Sequence, residues 1–89
     1  FDIAAAFAAH ATATRFEDLP PATLRAARTF LLDTLGVGLA GSSGANVAAV
    51  RDLARSWGPG EEATEWLGGT RMSAGSAAIV NAYLIHCLE

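Results

Sequence analysis

The feature that most constrains this chain is one long apolar stripe at helical spacing, opened by a proline pair and closed by glycine. From Pro20-Pro21 onward the apolar positions Leu24, Ala27, Leu31, Leu35 and Leu39 advance in steps of 3, 4, 4 and 4, which traces one face of a helix. Proline pre-sets the backbone angle of a first helical turn and loses nothing there, because first-turn amides have no intrahelical partner. Arg25, Arg28 and Asp33 fall mostly off the stripe, and Gly41 can adopt a left-handed cap. The helix is therefore predicted from Pro21 to about Gly41. In a chain of 89 residues this commits the fold to one small domain at most, burying roughly 60–65% of the surface exposed when unfolded. There is no room for a nucleotide-binding domain beside a catalytic one.

The remaining segments read as helices around it. Phe1 to Thr14 is alanine-rich with Ile3 and Phe7 four apart, a composition of good helix propensity. After a loop from Ser42 to Asn46, the residues Val47, Val50, Leu53, Ala54 and Trp57 predict a third helix, ended by Gly58-Pro59-Gly60. Glu61 to Gly69 is polar and glycine-bounded, with a very short strand predicted at Thr64 to Leu67. Ser73 or Ser76 can cap a last helix, whose apolar positions Ala77, Val80, Leu84, Ile85 and Leu88 carry it through Glu89. Four helices with short connectors give an all-α fold class. Thr34 to Val50 and Met72 to Leu88 are uncharged but interrupted by glycine, serine, asparagine or histidine. They read as helices buried in protein, since a membrane span needs about 20 predominantly apolar residues.

Composition excludes several function classes. With 52% apolar and 17% charged residues the chain is not of the disordered kind. All six basic residues are arginines, and nine acids leave a net charge of -3. That balance argues against nucleic-acid or anionic-membrane partners, which need a basic face. The single cysteine, Cys87, forms no internal disulfide and fits a reducing, cytoplasmic setting. The chain opens on Phe1 and ends within an apolar helical pattern, so residues 1–89 are expected to be one segment of a larger protein.

Gly36-Val37-Gly38-Leu39-Ala40-Gly41 matches the glycine pattern of dinucleotide-binding turns, with Glu61 and Glu62 about 20 residues on. That pattern works only between a strand and a helix that begins on the glycines. Here a helix precedes it and a Ser-Ser-Gly loop follows. Close helix packing is the better reading, with Gly36 and Gly38 admitting a neighbouring backbone. Trp57 and Trp66 read as core anchors, and the arginines, Arg71 included, as surface groups. His10 reads as a surface histidine on its helix. His86 and Cys87 are no catalytic dyad, because sequence neighbours point about 100° apart on a helix. His86 and Glu89 differ, since residues three apart share a helix side and an imidazole and a carboxylate are costly to bury without partners. They mark either a hydrogen-bonded helix end or the rim of a polar pocket. As a metal site the pair is incomplete.

Three stretches together resemble the MmgE/PrpD family: Phe16-Glu17-Asp18-Leu19-Pro20, the Leu-Leu-Asp-Thr-Leu-Gly segment at 31–36, and Asn81 followed by His86-Cys87-Leu88-Glu89. The resemblance covers most of the chain. It implies a large all-helical domain with a smaller α/β lid, of which residues 1–89 form the first helices. It also implies a homodimer, cytoplasmic or mitochondrial, acting on di- and tricarboxylates by acid–base chemistry without an iron–sulfur cluster or other cofactor. Dehydration of the 2-methylcitrate type is the leading reaction, with decarboxylation or epimerisation as relatives of it. Glu89 matches the family's first active-site acid and is the catalytic candidate. His86 is the substrate-binding candidate. Asn81 matches a motif position but reads as a support for its helix. Ala82 stands where many relatives have glycine, and Glu65 where an apolar strand residue is usual. One acid cannot both move a proton and hold anionic carboxylates, so the 89 residues alone are expected to be inactive. The alternative is a non-catalytic helical interaction or dimerisation module, which glycine-faced, alanine-rich helices also suit.

Overall fold

The computed structural model describes residues 1–88. Four α-helices alternate with two single-turn 3-10 segments and one minimal hairpin. In order these are α1 (Ile3–Ala13), a 3-10 turn at Phe16–Asp18, α2 (Pro21–Ala40), a 3-10 turn at Gly41–Ser43, α3 (Val47–Ser56), β1 (Ala63–Thr64), β2 (Arg71–Met72) and α4 (Ala74–His86). The all-α class holds, and among the described residues no helix is long and apolar enough to cross a membrane. The predicted strand at Thr64 to Leu67 is displaced. β1 lies one residue earlier and pairs antiparallel with β2, Ala63 opposite Met72 and Thr64 opposite Arg71.

The helix boundaries follow local chemistry. The Asp2 carboxylate accepts from the Ala5 amide at 3.2 Å and caps α1, and Pro20 and Pro21 open α2 as expected. Asn46, at φ 64°, precedes α3 in the left-handed region that asparagine tolerates better than most residues. Ser73 is the cap of α4, its hydroxyl accepting from the Ser76 amide at 3.3 Å. α4 ends at His86 with Cys87 as its C-cap, so its expected continuation through Glu89 is corrected. The Cys87 thiol is drawn sideways, donating to the Gly41 carbonyl at 3.3 Å.

The chain divides into two compact units, Phe1–Phe30 and Leu31–Glu89. In the first no residue is buried. In the second, Val47, Ala54, Met72, Ala77, Val80 and Leu84 form a core, with Ala63, Trp66, Leu67, Tyr83 and Cys87 packed around it. α3 and α4 are its main partners. They are tied at one end by the buried Ser76 hydroxyl, which donates to the Ala54 carbonyl at 2.9 Å.

The leucine stripe does not become the packing face. Leu31, Leu35 and Leu39 are exposed, whereas Gly38 and Gly41 are buried and Thr34 and Val37 half-buried. The helix therefore packs through its small residues, rotated away from its leucines. Trp57 is likewise exposed, and only Trp66 acts as an anchor.

Candidate functional site

The carboxyl-terminal end of α4, where the sequence places His86 and Glu89, is held from two sides within the second unit. One side is a run of glycines. A Cβ on Gly38 would fall 2.9 Å from the Trp66 ring, one on Gly41 would collide with the Leu84 carbonyl, and one on Gly44 would fall 2.5 Å from the Cys87 sulfur. Gly36 meets nothing within 4 Å, so the expected close approach fails there; at Gly38 it is made by the Trp66 ring, and Gly41 and Gly44 add to it. Only residues without a side chain let the end of α4 lie this near the backbone. The Tyr83 hydroxyl adds a bond to the Ala45 carbonyl at 3.0 Å.

The other side is the hairpin, and its organiser is Glu65. This glutamate is 0% exposed. Its carboxylate accepts from the amides of Leu67 at 2.7 Å, Gly68 at 3.1 and 3.2 Å, and Thr70 at 3.2 Å. Backbone bonds from the Glu65 amide to the Thr70 carbonyl (3.0 Å) and from the Gly69 amide to the Glu65 carbonyl (3.1 Å) close the turn. Burial alone raises this carboxyl, but the amides of Gly68, Thr70 and Leu67, with the Thr70 hydroxyl, outweigh it. The group sits below the ordinary glutamate range and is ionised at neutral pH. The turn is therefore built around a buried carboxylate in a nest of backbone amides.

Asn81, midway along α4, joins helix to hairpin. Its carboxamide oxygen accepts from the Trp66 amide at 2.8 Å and its nitrogen donates to the Thr64 carbonyl at 3.2 Å. A backbone donor on one side and a backbone acceptor on the other fix which end is oxygen and which nitrogen.

The candidate residues stand as follows. His86 is the last residue of α4 and is exposed. Glu89 lies outside the described residues. His10 is exposed on α1 and, with Phe1, Ile3, Ala6 and Phe7, lines an open surface depression of about 370 Å³. Cys87 is half-buried, its thiol on the Gly41 carbonyl and not on His86. Arg71 binds the Glu61 carbonyl through Nε at 2.9 Å and Nη2 at 2.6 Å, a structural use on the surface. Arg51 lies 3.6 Å from Asp52, and its guanidinium also approaches Gly68. Among the described residues no three of His, Cys, Asp and Glu gather as a metal site. Ala82 is exposed, so its methyl meets no packing constraint.

Sequence reasoning missed the buried role of Glu65 and the two hydrogen bonds of Asn81. The available signal was an acid three residues before Gly68-Gly69-Thr70, where glycine-rich backbone can turn its amides toward a carboxylate.

A family model described as the MmgE/PrpD N-terminal domain matches residues 5–89. No curated protein and no solved structure gives a significant match.

Proposed function

Because this chain belongs to the MmgE/PrpD family, which contains lyase-type enzymes, we propose that it is the N-terminal part of an enzyme acting on di- or tricarboxylates by acid–base chemistry. Dehydration of the 2-methylcitrate kind is the leading reaction, and decarboxylation or epimerisation of related acids would use the same elements. The observation that carries this reading is the family match over residues 5–89. The doubly held end of α4 supports it, since a proton-transfer group must be kept within a fraction of an ångström of its target.

In such a dehydration a base takes the proton from the carbon beside a carboxylate. The electron pair forms the new C=C bond, and the hydroxyl on the neighbouring carbon leaves as water after protonation. Glu89 is assigned the proton transfer and His86 a hydrogen bond to substrate. A carboxylate cannot by itself hold an anionic substrate, so cationic groups must complete the site. The 89-residue chain by itself is therefore expected to be inactive. The same reading carries a cytoplasmic homodimer working without a cofactor.

The test is turnover by the full-length protein on a panel of hydroxy-di- and tricarboxylates, followed by the absorbance of the unsaturated product. Activity on a member of the panel, with a loss of about 10²-fold or more in kcat for Glu89→Gln, supports the proposal. A folded full-length protein inactive on the whole panel sinks it.

A second reading, a non-catalytic interaction module, is favoured by one observation. Phe1, Ile3, Phe7, Phe16 and Phe30 are all more than 60% exposed, and large exposed apolar surface marks interaction sites. Undiminished turnover in Glu89→Gln, together with self-association lost on Phe7→Ser, would favour that reading.

A further inference from the structure

We infer that Asn81 is a positioning residue for the end of α4, acting through the hairpin that Glu65 makes rigid. This inference rests on reading the end of α4 as part of the reaction site. Among the described residues the carboxamide of Asn81 is bonded to backbone groups of the hairpin. These are two groups flanking Glu65, the Thr64 carbonyl at 3.2 Å and the Trp66 amide at 2.8 Å. A tie of this kind fixes a helix only if the segment it grips is itself fixed. Here it is, because the buried Glu65 carboxylate binds the amides of Leu67, Gly68 and Thr70. The Trp66 ring, next to the gripped amide, lies where Gly38 of α2 carries no side chain.

The geometry sets both the rotation and the axial register of α4. The glycines bear on its last turn at Leu84, Ile85 and Cys87, while the carboxamide bears on Asn81, upstream of that turn. The tie at Asn81, set off from the axis, resists rotation of the helix about it, and the second attachment at another height resists tilting. His86 lies five residues beyond Asn81, about 7.5 Å along the axis. A rotation of about 10° at a side-chain radius of about 6 Å moves a functional group by about 1 Å. A displacement of about 1 Å at a reacting centre costs about 10²-fold in rate. Losing the carboxamide tie therefore acts on turnover more than on substrate binding.

The experiment uses the full-length protein and three variants. Asn81→Ala removes both bonds. Asn81→Asp keeps the acceptor for the Trp66 amide and loses the donor to Thr64. Ser76→Ala removes the bond from Ser76 to Ala54 at the far end of the same helix, and serves as the matched structural control. The expected result is a fall in kcat of about 10- to 100-fold for Asn81→Ala with KM within threefold. Asn81→Asp should lie between Asn81→Ala and the parent, and Ser76→Ala should keep kcat within twofold despite a lower Tm. Equal kcat losses in Asn81→Ala and Ser76→Ala overturn the inference, as does a kcat within twofold of the parent in either Asn81 variant. If Asn81→Ala does not fold, Asn81→Asp carries the test alone. If the parent turns over none of the acids offered, the proposed function falls, and the tie is read by hydrogen exchange. Faster exchange of the amides of residues 84–87 in the Asn81 variants than in Ser76→Ala then upholds it, and equal rates overturn it.

Discussion

Between Phe1 and Phe30 no side chain is buried, although Ile3, Phe7 and Phe16 are as apolar as the side chains of the core. Between Leu31 and Leu88, a core of only six residues forms around α4. What separates the two regions is not hydrophobicity but tethering. The second region ties its elements together through polar groups distant in sequence: Ser76 to Ala54, Asn81 to Thr64 and Trp66, and Tyr83 to Ala45. The side-chain hydrogen bonds of the first region, such as Asp2 to Ala5 and Arg15 to Asp18, span three or four residues. Helices as short as α1, with 11 residues, are marginal in water without tertiary packing. The comparison teaches that stability in this chain is concentrated in residues 31–88, and that the apolar surface of residues 1–30 is available for contact.

The largest effect that sharpens this contrast is expected at Glu65. Replacing it by alanine leaves the amides of Leu67, Gly68 and Thr70 without their acceptor and should cost roughly 3–5 kcal/mol in urea unfolding. The pH dependence has a definite sign. The folded carboxyl lies below its ordinary value, so its contribution is complete above the unfolded value of about 4.3. It is lost as pH falls through the depressed folded value. Unfolding curves measured between neutral pH and about pH 3 should show this acid loss in the parent and a flatter profile in Glu65→Gln. A smaller effect is expected at Gly41, where the methyl of Gly41→Ala would press on the Leu84 carbonyl and cost about 2–3 kcal/mol.

Two smaller substitutions bracket zero. Gly36→Ala adds a methyl in open space within α2 and should stabilise by about 0.5–1 kcal/mol, the opposite sign to Gly41→Ala. Phe7→Ser, in the region without a core, should change the unfolding of residues 31–88 by less than about 0.5 kcal/mol. A destabilisation of several kcal/mol there would break the contrast between the two regions.

The helices themselves were legible because their signals are local: the proline pair before α2, Gly58-Pro59-Gly60 after α3 and the serine before α4. Which face each helix buries was not. The regular spacing of Leu31, Leu35 and Leu39 pointed to the leucine side of α2. Packing instead chose Gly38 and Gly41, because close approach to α4 is set by what the partner helix presents. The hairpin was half-legible. Glycines marked its turn, but a lone acid such as Glu65 does not announce that three backbone amides will converge on it. Asn81 was recognisable as a support for its helix, yet its partners Thr64 and Trp66 lie 17 and 15 residues away and follow only from the fold. The helix of His86 was expected to run on through Glu89, whereas α4 ends at His86 itself. Glu89 lies outside the described residues.

Native-state hydrogen exchange on this chain tests the central contrast most directly. The amides of Leu67, Gly68 and Thr70 and those of α4 from Val80 to Cys87 should be among the slowest, and those of α1 should exchange within about 100-fold of a free peptide. Protection of α1 equal to that of α4, or rapid exchange at Leu67, Gly68 and Thr70, would contradict the account.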